Sequence, residues 1–187
     1  MARKPRIWYP GATYHITARG NRRDPIFHDH RDYQQYIDFL KLCLEDIPFS
    51  IHAYCLMPNH IHLLLETEDK PPGTIIKFIH TRYAIYFNKR YDLTGHVFQG
   101  RFHANLVKTE EYFLIASRYI HLNPVEAKIV HNPEHYYWSS FPSYLDMDKR
   151  NSFLTTERTL SLFPKPHHLA YQTFVETEPT EDQSISL

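Results

Sequence analysis

Hydrophobic positions recur along the chain with two periods, one typical of strands and one typical of helices. Residues 12–19 alternate between apolar and polar positions and are β-branched, which predicts a first strand. Asp29 or Asp32 is placed to cap a helix that continues to about Glu45. Helical spacing supports that helix through the apolar residues Tyr33, Tyr36, Ile37, Leu40, Leu44 and Ile47.

Two short apolar runs follow, at residues 50–57 and 60–66. Pro58 and Asn59 separate them, and a Pro-Asn pair between β-type runs predicts a tight hairpin. The three leucines at residues 63–65 indicate that the second strand is central in the sheet.

The next part of the chain predicts two helices and one strand. A helix over about residues 74–91 precedes a strand within residues 96–107. A third helix starts after Thr109, and we expect Asn123 and Pro124 to end it, because the residue before a proline resists helical geometry. The order β-α-β-β-α-β-α is typical of an α+β domain with a ferredoxin-like sheet.

The length of 187 residues predicts one domain with a small appendage. We place the domain at residues 1–130 and a C-terminal extension at residues 131–175. The aromatic cluster of that extension, residues 136–138, either packs on the domain or stacks on nucleic-acid bases. Residues 176–187 are acidic and polar, and we expect this tail to be disordered.

Composition narrows the class of protein. With 42% hydrophobic and 15% aromatic residues, the chain is not disordered, collagenous or a coiled coil. It has no apolar run near the roughly 20 residues needed to cross a bilayer, and we expect no signal peptide at its basic start. The two cysteines, Cys43 and Cys55, exclude a disulfide scaffold and predict a cytoplasmic protein.

The net charge of zero hides an asymmetry between the two parts of the chain. Residues 1–130 carry 17 Lys+Arg against 13 Asp+Glu, whereas residues 131–187 carry 4 against 8. The first 23 residues hold six basic side chains and no acidic one. Such a block suits a phosphate backbone, and the alternative is a solvated, solubilising terminus.

A histidine pair is the first candidate for chemistry. His60 and His62 are two residues apart in a predicted strand, so both project to one face while Ile61 points to the other. Their Cα atoms lie about 6–7 Å apart in a strand, close enough to hold one metal ion. Taken alone, such a pair more often consists of packed or exposed histidines than of metal ligands.

Tyr119 and Asn123 form the second candidate. They are four residues apart in the third predicted helix and therefore share one face. The alternatives are a core aromatic residue for Tyr119 and a helix cap for Asn123.

The two stretches together resemble the single-tyrosine HUH transposases, in the branch of the REP-associated tyrosine transposases. The resemblance rests on Met-Pro-Asn-His-Ile-His at residues 57–62 and Tyr-Ile-His-Leu-Asn-Pro-Val at residues 119–125. The resemblance covers about residues 5–145 in all, and further matching segments are residues 9–17, 19–21, 97–102 and 138–141. One position departs from it, since Glu126 stands where this branch is expected to have Arg.

The resemblance implies a fold and a reaction. The fold is an antiparallel ferredoxin-like sheet with helices on one face. His60, His62 and Asn123 would bind one divalent metal ion, Mg²⁺ or Mn²⁺. Ligand type alone favours Mn²⁺ over Mg²⁺ and leaves Zn²⁺ open. Tyr119 would attack a DNA phosphodiester to give a 5′-phosphotyrosine and a free 3′-OH, and a second 3′-OH would then rejoin the strands.

The resemblance also implies a substrate, which is single-stranded or hairpin DNA from a repeat near the protein's own gene. The candidate phosphate contacts are Arg19, Arg22, Arg23, Arg101 and Arg118, each of which is otherwise an ordinary surface charge. Relatives include monomers and dimers, so the oligomeric state stays open.

Three other functions compete with a transposase. One is a domesticated hairpin-binding protein that does not cut DNA, and another is a metal-dependent phosphodiesterase that activates water. The third is an α+β domain whose histidines have no joint role.

Overall fold

Four antiparallel strands form the sheet that carries the two histidines. A computed structural model describes residues 7–146 and 151–177 of the chain. The strands are paired in the order β2-β3-β1-β4, so β1 and β3 are central. Their bounds are Thr13–Arg19 for β1, Phe49–Met57 for β2, His60–Thr67 for β3 and His103–Val107 for β4.

In the part of the chain that the structure describes, three long helices and three short ones connect and cover the strands. The side chains of Asp29 and Thr109 accept hydrogen bonds from the first backbone N–H groups of α1 and α3, which confirms two predicted helix starts. Within the described residues, none of the helices is long and apolar enough to cross a membrane. The helices are α1 (His30–Asp46), α2 (Pro72–Tyr91), α3 (Glu110–Glu126), α4 (Pro142–Leu145), α5 (Glu157–Ser161) and α6 (His167–Glu176).

The antiparallel α+β class is confirmed, but the helices lie on both faces of the sheet. Ile61, Leu63 and Leu65 of β3 belong to the core cluster that α1 and α2 cover. Leu64 points the other way, into a second cluster that includes residues of α3 and β2. The expectation of helices on one face is therefore wrong for α3, because β3 is apolar on both faces and each face needs cover.

Helix α3 continues past the proline that was expected to end it. Pro124 lies inside the helix, which runs to Glu126. The Ala127 N–H donates to Asn123 O at 2.9 Å, and the Ile129 N–H donates to Pro124 O at 2.9 Å. A proline this close to the end removes only one hydrogen bond of the last turn. Asn123 therefore remains part of the helix, one turn after Tyr119.

The hairpin at Pro58 and Asn59 is confirmed, and a turn from residues 20–24 packs on it. The backbone N–H groups of Ile26 and Phe27 both donate to Pro58 O, at 2.8 and 3.1 Å. Gly20 is required here, because a Cβ at that position would lie 2.2 Å from the Asp24 carbonyl oxygen.

The described part of the C-terminal extension packs on the domain. Leu154 bridges to Ile51 and Ser139 bridges to Cys55 of β2. Tyr171 of α6 is fully buried, and its hydroxyl lies 2.7 Å from Nδ1 of His121 in α3. The domain boundary at residue 130 stays a prediction. The acidic tail lies outside the described residues except for Glu176 and Thr177, where α6 ends.

We predict that buried histidines make the fold sensitive to acid. Burial lowers the pKa of His80 and of His121 to about 3. The unfolded chain takes up these protons near pH 6.5, whereas the native protein does not. The free energy of unfolding therefore has its full value above about pH 6.5. It decreases as the pH falls towards 3, by about 1.4 kcal/mol per pH unit for each histidine.

Urea unfolding of His80→Phe between pH 7 and pH 4 measures this effect. The phenyl ring keeps the stacking on Phe98, and the pH slope should decrease by about 1.4 kcal/mol per unit. The control for the substitution itself is His135→Phe, since the His135 side chain is 67% exposed. Equal slopes for wild type and His80→Phe would contradict the lowered pKa of His80 in the native protein.

Candidate active site

The site lies on the face of the sheet that α3 covers. His60 and His62 project from β3 to the same side as Leu64, as strand alternation requires. In the antiparallel register of β1 and β3, Arg19 is opposite His60 and Thr17 is opposite His62. The sheet therefore presents basic and hydroxyl groups beside the histidine pair.

The structure brings together the four predicted catalytic and metal-binding residues. The ring centroids of His60 and His62 are 5.0 Å apart, and those of His62 and Tyr119 are 5.5 Å apart. The Asn123 amide raises the pKa of both histidines and lowers that of Tyr119, so it lies close to all three side chains. Its Nδ2 donates to the Tyr119 carbonyl at 2.7 Å, which leaves Oδ1 available as a ligand.

Both histidines are held in the neutral form. Burial lowers the pKa of His60, with a smaller effect from the nearby Arg19 charge. Burial also places the pKa of His62 well below its usual value, and His15, His60 and Arg19 lower it further. A neutral imidazole has a free lone pair, which is the form that binds a metal ion.

The hydrogen bonds of the two rings use Nδ1. His60 Nδ1 lies 2.7 Å from Asn59 Oδ1. His62 Nδ1 lies 3.1 Å from His15 Nε2 and 3.4 Å from Thr17 Oγ1. Metal-bound histidines in proteins commonly use one ring nitrogen for the ion and the other for such a partner. The pattern leaves both Nε2 atoms as candidate ligands.

The donor set fits one hard or borderline divalent ion. It consists of two imidazole Nε2 atoms and the Asn123 amide oxygen, which leave coordination positions for water and phosphate. Among the residues that the structure describes, no group of three or more His, Cys, Asp or Glu side chains is arranged to hold a metal. A metal centre here therefore depends on the amide as the third ligand.

The environment of Tyr119 opposes its ionisation. Burial raises the pKa of Tyr119, and the nearby Glu126 carboxylate raises it further. The Asn123 amide and the Arg19 charge act in the opposite direction. The phenol is therefore protonated at neutral pH, and added positive charge beside it would favour the phenolate.

The region that holds this site matches a known family. The family described as "Transposase IS200 like" matches residues 9–123, which is more than half of the 187-residue chain. The chain belongs to the IS200-like transposase family. The matched region of this family member includes His60, His62, Tyr119 and Asn123, and it confirms the family predicted from the sequence.

Two individual proteins are similar to this IS200-like family member. A curated protein of Haemophilus influenzae, named as a REP-associated tyrosine transposase, is 28% identical over 113 residues. That alignment covers 54% of this chain and 64% of the relative, so the chain spans less than two thirds of the relative's length. A solved structure of a REP-associated tyrosine transposase bound to a REP hairpin has a TM-score of 0.66 at 22% identity, and covers 80% of this chain and 87% of that chain. It shows the same fold.

Four of the five predicted arginines lie at exposed positions around the site of this IS200-like protein. Arg19 and Arg101 line one cavity of about 370 Å³, together with Gln99. Arg22 and Arg23 lie in the turn that packs on the hairpin, next to Asn59. Their roles as phosphate contacts stay predictions.

The structure places Arg118 apart from these four arginines. Its side chain is 8% exposed, its guanidinium donates to Thr177 O, and it lies 5.5 Å from the centre of the Phe174 ring. Burial lowers the pKa of Arg118. Arg118 joins α3 to α6, so a phosphate contact from this residue would require that packing to open.

His15 is the residue that sequence reasoning missed. It belongs to the quoted resemblance, yet the sequence assigned it no role. It is 4% exposed, burial lowers its pKa to about 4, and its ring lies 5.8 Å from that of Tyr119. Its Nδ1 is buried without a hydrogen-bond partner among the described residues. The available signal was alternation, since residues 13, 15, 17 and 19 form the polar face of β1.

We predict that His60→Ala weakens Mn²⁺ binding at least about 10-fold, because the variant loses a donor atom while the buried His62 is kept. Isothermal titration of the folded protein with Mn²⁺ measures the loss. The matched control is His135→Ala, since His135 is exposed outside the site. Equal Mn²⁺ affinities for His60→Ala and wild type would exclude His60 as a ligand.

Proposed function

We propose that this protein is a metal-dependent transposase that cuts and rejoins single-stranded or hairpin DNA through a covalent bond to Tyr119. The observation that carries the proposal is the position of Tyr119 and Asn123, one turn apart on α3, against the His60 and His62 pair of β3. A nucleophile beside a candidate metal centre is the arrangement that phosphodiester transfer requires.

The metal site would consist of His60, His62 and Asn123. A bound Mg²⁺ or Mn²⁺ ion would polarise the scissile phosphate and offset the charge that develops in the reaction. The protein's own contribution is to hold the three donors beside Tyr119 before DNA arrives. The Nδ1 partners of the histidines and the backbone hydrogen bond of the Asn123 amide fix that arrangement.

The proposed reaction exchanges one phosphate ester for another. The Tyr119 oxygen attacks phosphorus in line, the bond from phosphorus to the 3′-oxygen breaks, and the phenol proton is lost while the 3′-oxygen gains one. The product is a 5′-phosphotyrosine. Attack by a second 3′-OH releases Tyr119 and rejoins the strands without ATP, since the number of ester bonds is conserved.

Arg19 has two proposed roles in this step. It lies where its charge lowers the pKa of Tyr119, against the effects of burial and Glu126. It also lines the cavity that it shares with Arg101, so the same guanidinium can contact a phosphate of the bound strand. A DNA backbone across Arg19 and Arg101 would place a phosphodiester beside the nucleophile.

An exposed aromatic residue supports an unpaired substrate. Tyr137 is 70% exposed, and its ring stands edge-on to Trp138 with 4.8 Å between centroids. Trp138 is itself stacked on Tyr33, so the exposed ring has a rigid base. Unpaired bases stack on such rings, which suits the unpaired parts of single-stranded or hairpin DNA.

The thiols of Cys43 and Cys55, both in the described part of the chain, are buried and free, which is compatible with a reducing cytoplasm.

We predict that Tyr119→Phe abolishes a covalent DNA–protein adduct. Single-stranded oligonucleotides from either side of the protein's own gene are incubated with the protein and Mn²⁺, and a denaturing gel separates the adduct. The control is Tyr112→Phe, a half-buried tyrosine of the same helix. Wild type and Tyr112→Phe should form the adduct only when the metal is present.

Other results of this experiment separate the competing functions. Cleavage that persists in Tyr119→Phe would identify a phosphodiesterase that uses water. Binding without cleavage by the wild-type protein, across a tiled set of flanking strands, would identify a hairpin-binding protein. Either result contradicts the transposase proposal.

We also predict that Arg19→Ala and Arg101→Ala each reduce the salt dependence of DNA binding. Loss of one phosphate contact should lower the slope of log K against log salt by about 0.7 for a single strand. The control is Arg82→Ala, because Arg82 lies over the Phe78 ring of its own helix. Unchanged slopes for both site variants would remove these arginines from the DNA path.

A further inference from the structure

The side chain of Asn59 lies between a backbone carbonyl and a candidate metal ligand. Its Nδ2 donates to the carbonyl oxygen of Arg23 at 3.1 Å. Its Oδ1 lies 2.7 Å from Nδ1 of His60. One amide therefore connects the turn that carries Arg22 and Arg23 to the ring of His60.

The chemistry of these groups fixes the direction of both hydrogen bonds. A carbonyl oxygen only accepts, so the Arg23 carbonyl requires the amide nitrogen of Asn59 and leaves the amide oxygen for His60. An amide oxygen also only accepts, so His60 Nδ1 must carry the proton. A neutral imidazole has one N–H, and the lone pair is then on Nε2.

The turn that supplies the Arg23 carbonyl is held in an unusual conformation. Arg22 and Arg23 are consecutive non-glycine residues with φ of 55° and 65°, in the left-handed region. Two backbone hydrogen bonds keep the turn on the hairpin, from Gly20 N to Asn59 O at 2.8 Å and from Ile26 N to Pro58 O at 2.8 Å. A non-glycine pair in this region persists only where its surroundings hold it.

We infer that Asn59 is a positioning residue that fixes His60 in its Nδ1–H tautomer, with Nε2 free to bind a metal ion, and that ties this ring to the Arg22–Arg23 turn. The use of the freed Nε2 rests on the proposed function. The tautomer itself does not, since it is argued from the two hydrogen bonds of the Asn59 amide.

Nitrogen-15 NMR of the metal-free protein tests the tautomer directly. Long-range proton–nitrogen spectra at pH 8 distinguish the two neutral forms, and a His60→Gln spectrum identifies the His60 signals. Wild-type His60 should be the Nδ1–H form. Asn59→Ala should move it towards the Nε2–H form that free histidine favours. Asn59→Asp should keep the Nδ1–H form, because a carboxylate oxygen still accepts from Nδ1.

Mn²⁺ titration provides the second measurement. Asn59→Ala should weaken Mn²⁺ binding by about 10-fold, the lower end of what loss of a ligand's hydrogen-bond partner costs. Asn59→Asp should recover most of that loss. The matched control is Asn88→Ala, since the Asn88 amide donates to the Gly95 carbonyl in the turn after α2 and not to His60. This control should change neither the tautomer nor the affinity.

The outcomes separate this inference from the proposed function. An Nε2–H form of His60 in the wild-type protein, or an unchanged tautomer in folded Asn59→Ala, would overturn the role of Asn59 and leave the transposase proposal intact. The wild-type spectrum decides the first point even if the alanine variant does not fold. Conversely, the expected tautomer in a protein that forms no Tyr119 adduct would support the role of Asn59 and contradict the proposed reaction.

Discussion

The packing of α3 on the second face of the sheet determines where Tyr119 and Asn123 lie relative to His60 and His62. Leu64 of β3 enters a cluster with Phe113, Ala116 and Ile120 of the helix. His62 precedes Leu64 by two residues and therefore faces the same helix. The contact that buries Leu64 thus also sets the distance from His62 to the next turn of α3. The histidines and Tyr119 lie on separate elements, and this apolar contact sets the distance between those elements.

The C-terminal extension holds α3 from its other side. His121 is fully buried between Ser140 Oγ and the Tyr171 hydroxyl, each 2.7 Å from one of its ring nitrogens. His121 lies midway between Tyr119 and Asn123 in the sequence. The extension therefore stabilises the segment of helix that carries the nucleophile, while Tyr119 and Asn123 point to the sheet. Burial keeps both His121 and His62 neutral, but the two residues have different roles. His121 joins α3 to α6, whereas His62 lies in the candidate metal site.

The sequence predicted those features that depend on local periodicity. The strand period places His60 and His62 on one face, and the helical period places Asn123 one turn after Tyr119. It could not show which face of the sheet α3 would cover, because β3 is apolar on both. Nor could it show the burial of Arg118, which depends on Phe174 more than fifty residues later. The role of His15 depends on the register of β1 against β3, and alternation within one strand does not reveal register.

The most direct test of a tyrosine nucleophile is to find the tyrosine that carries the DNA. Trypsin cuts after Arg118 and Lys128, and the peptide of residues 119–128 contains Tyr119 as its one tyrosine. Mass spectrometry of nuclease-treated, trypsin-digested adduct should find a nucleotide mass on this peptide, with fragment ions that place it on Tyr119. A nucleotide on another tyrosine, or cleaved DNA with a free 5′-phosphate and no modified peptide, would contradict the proposed chemistry.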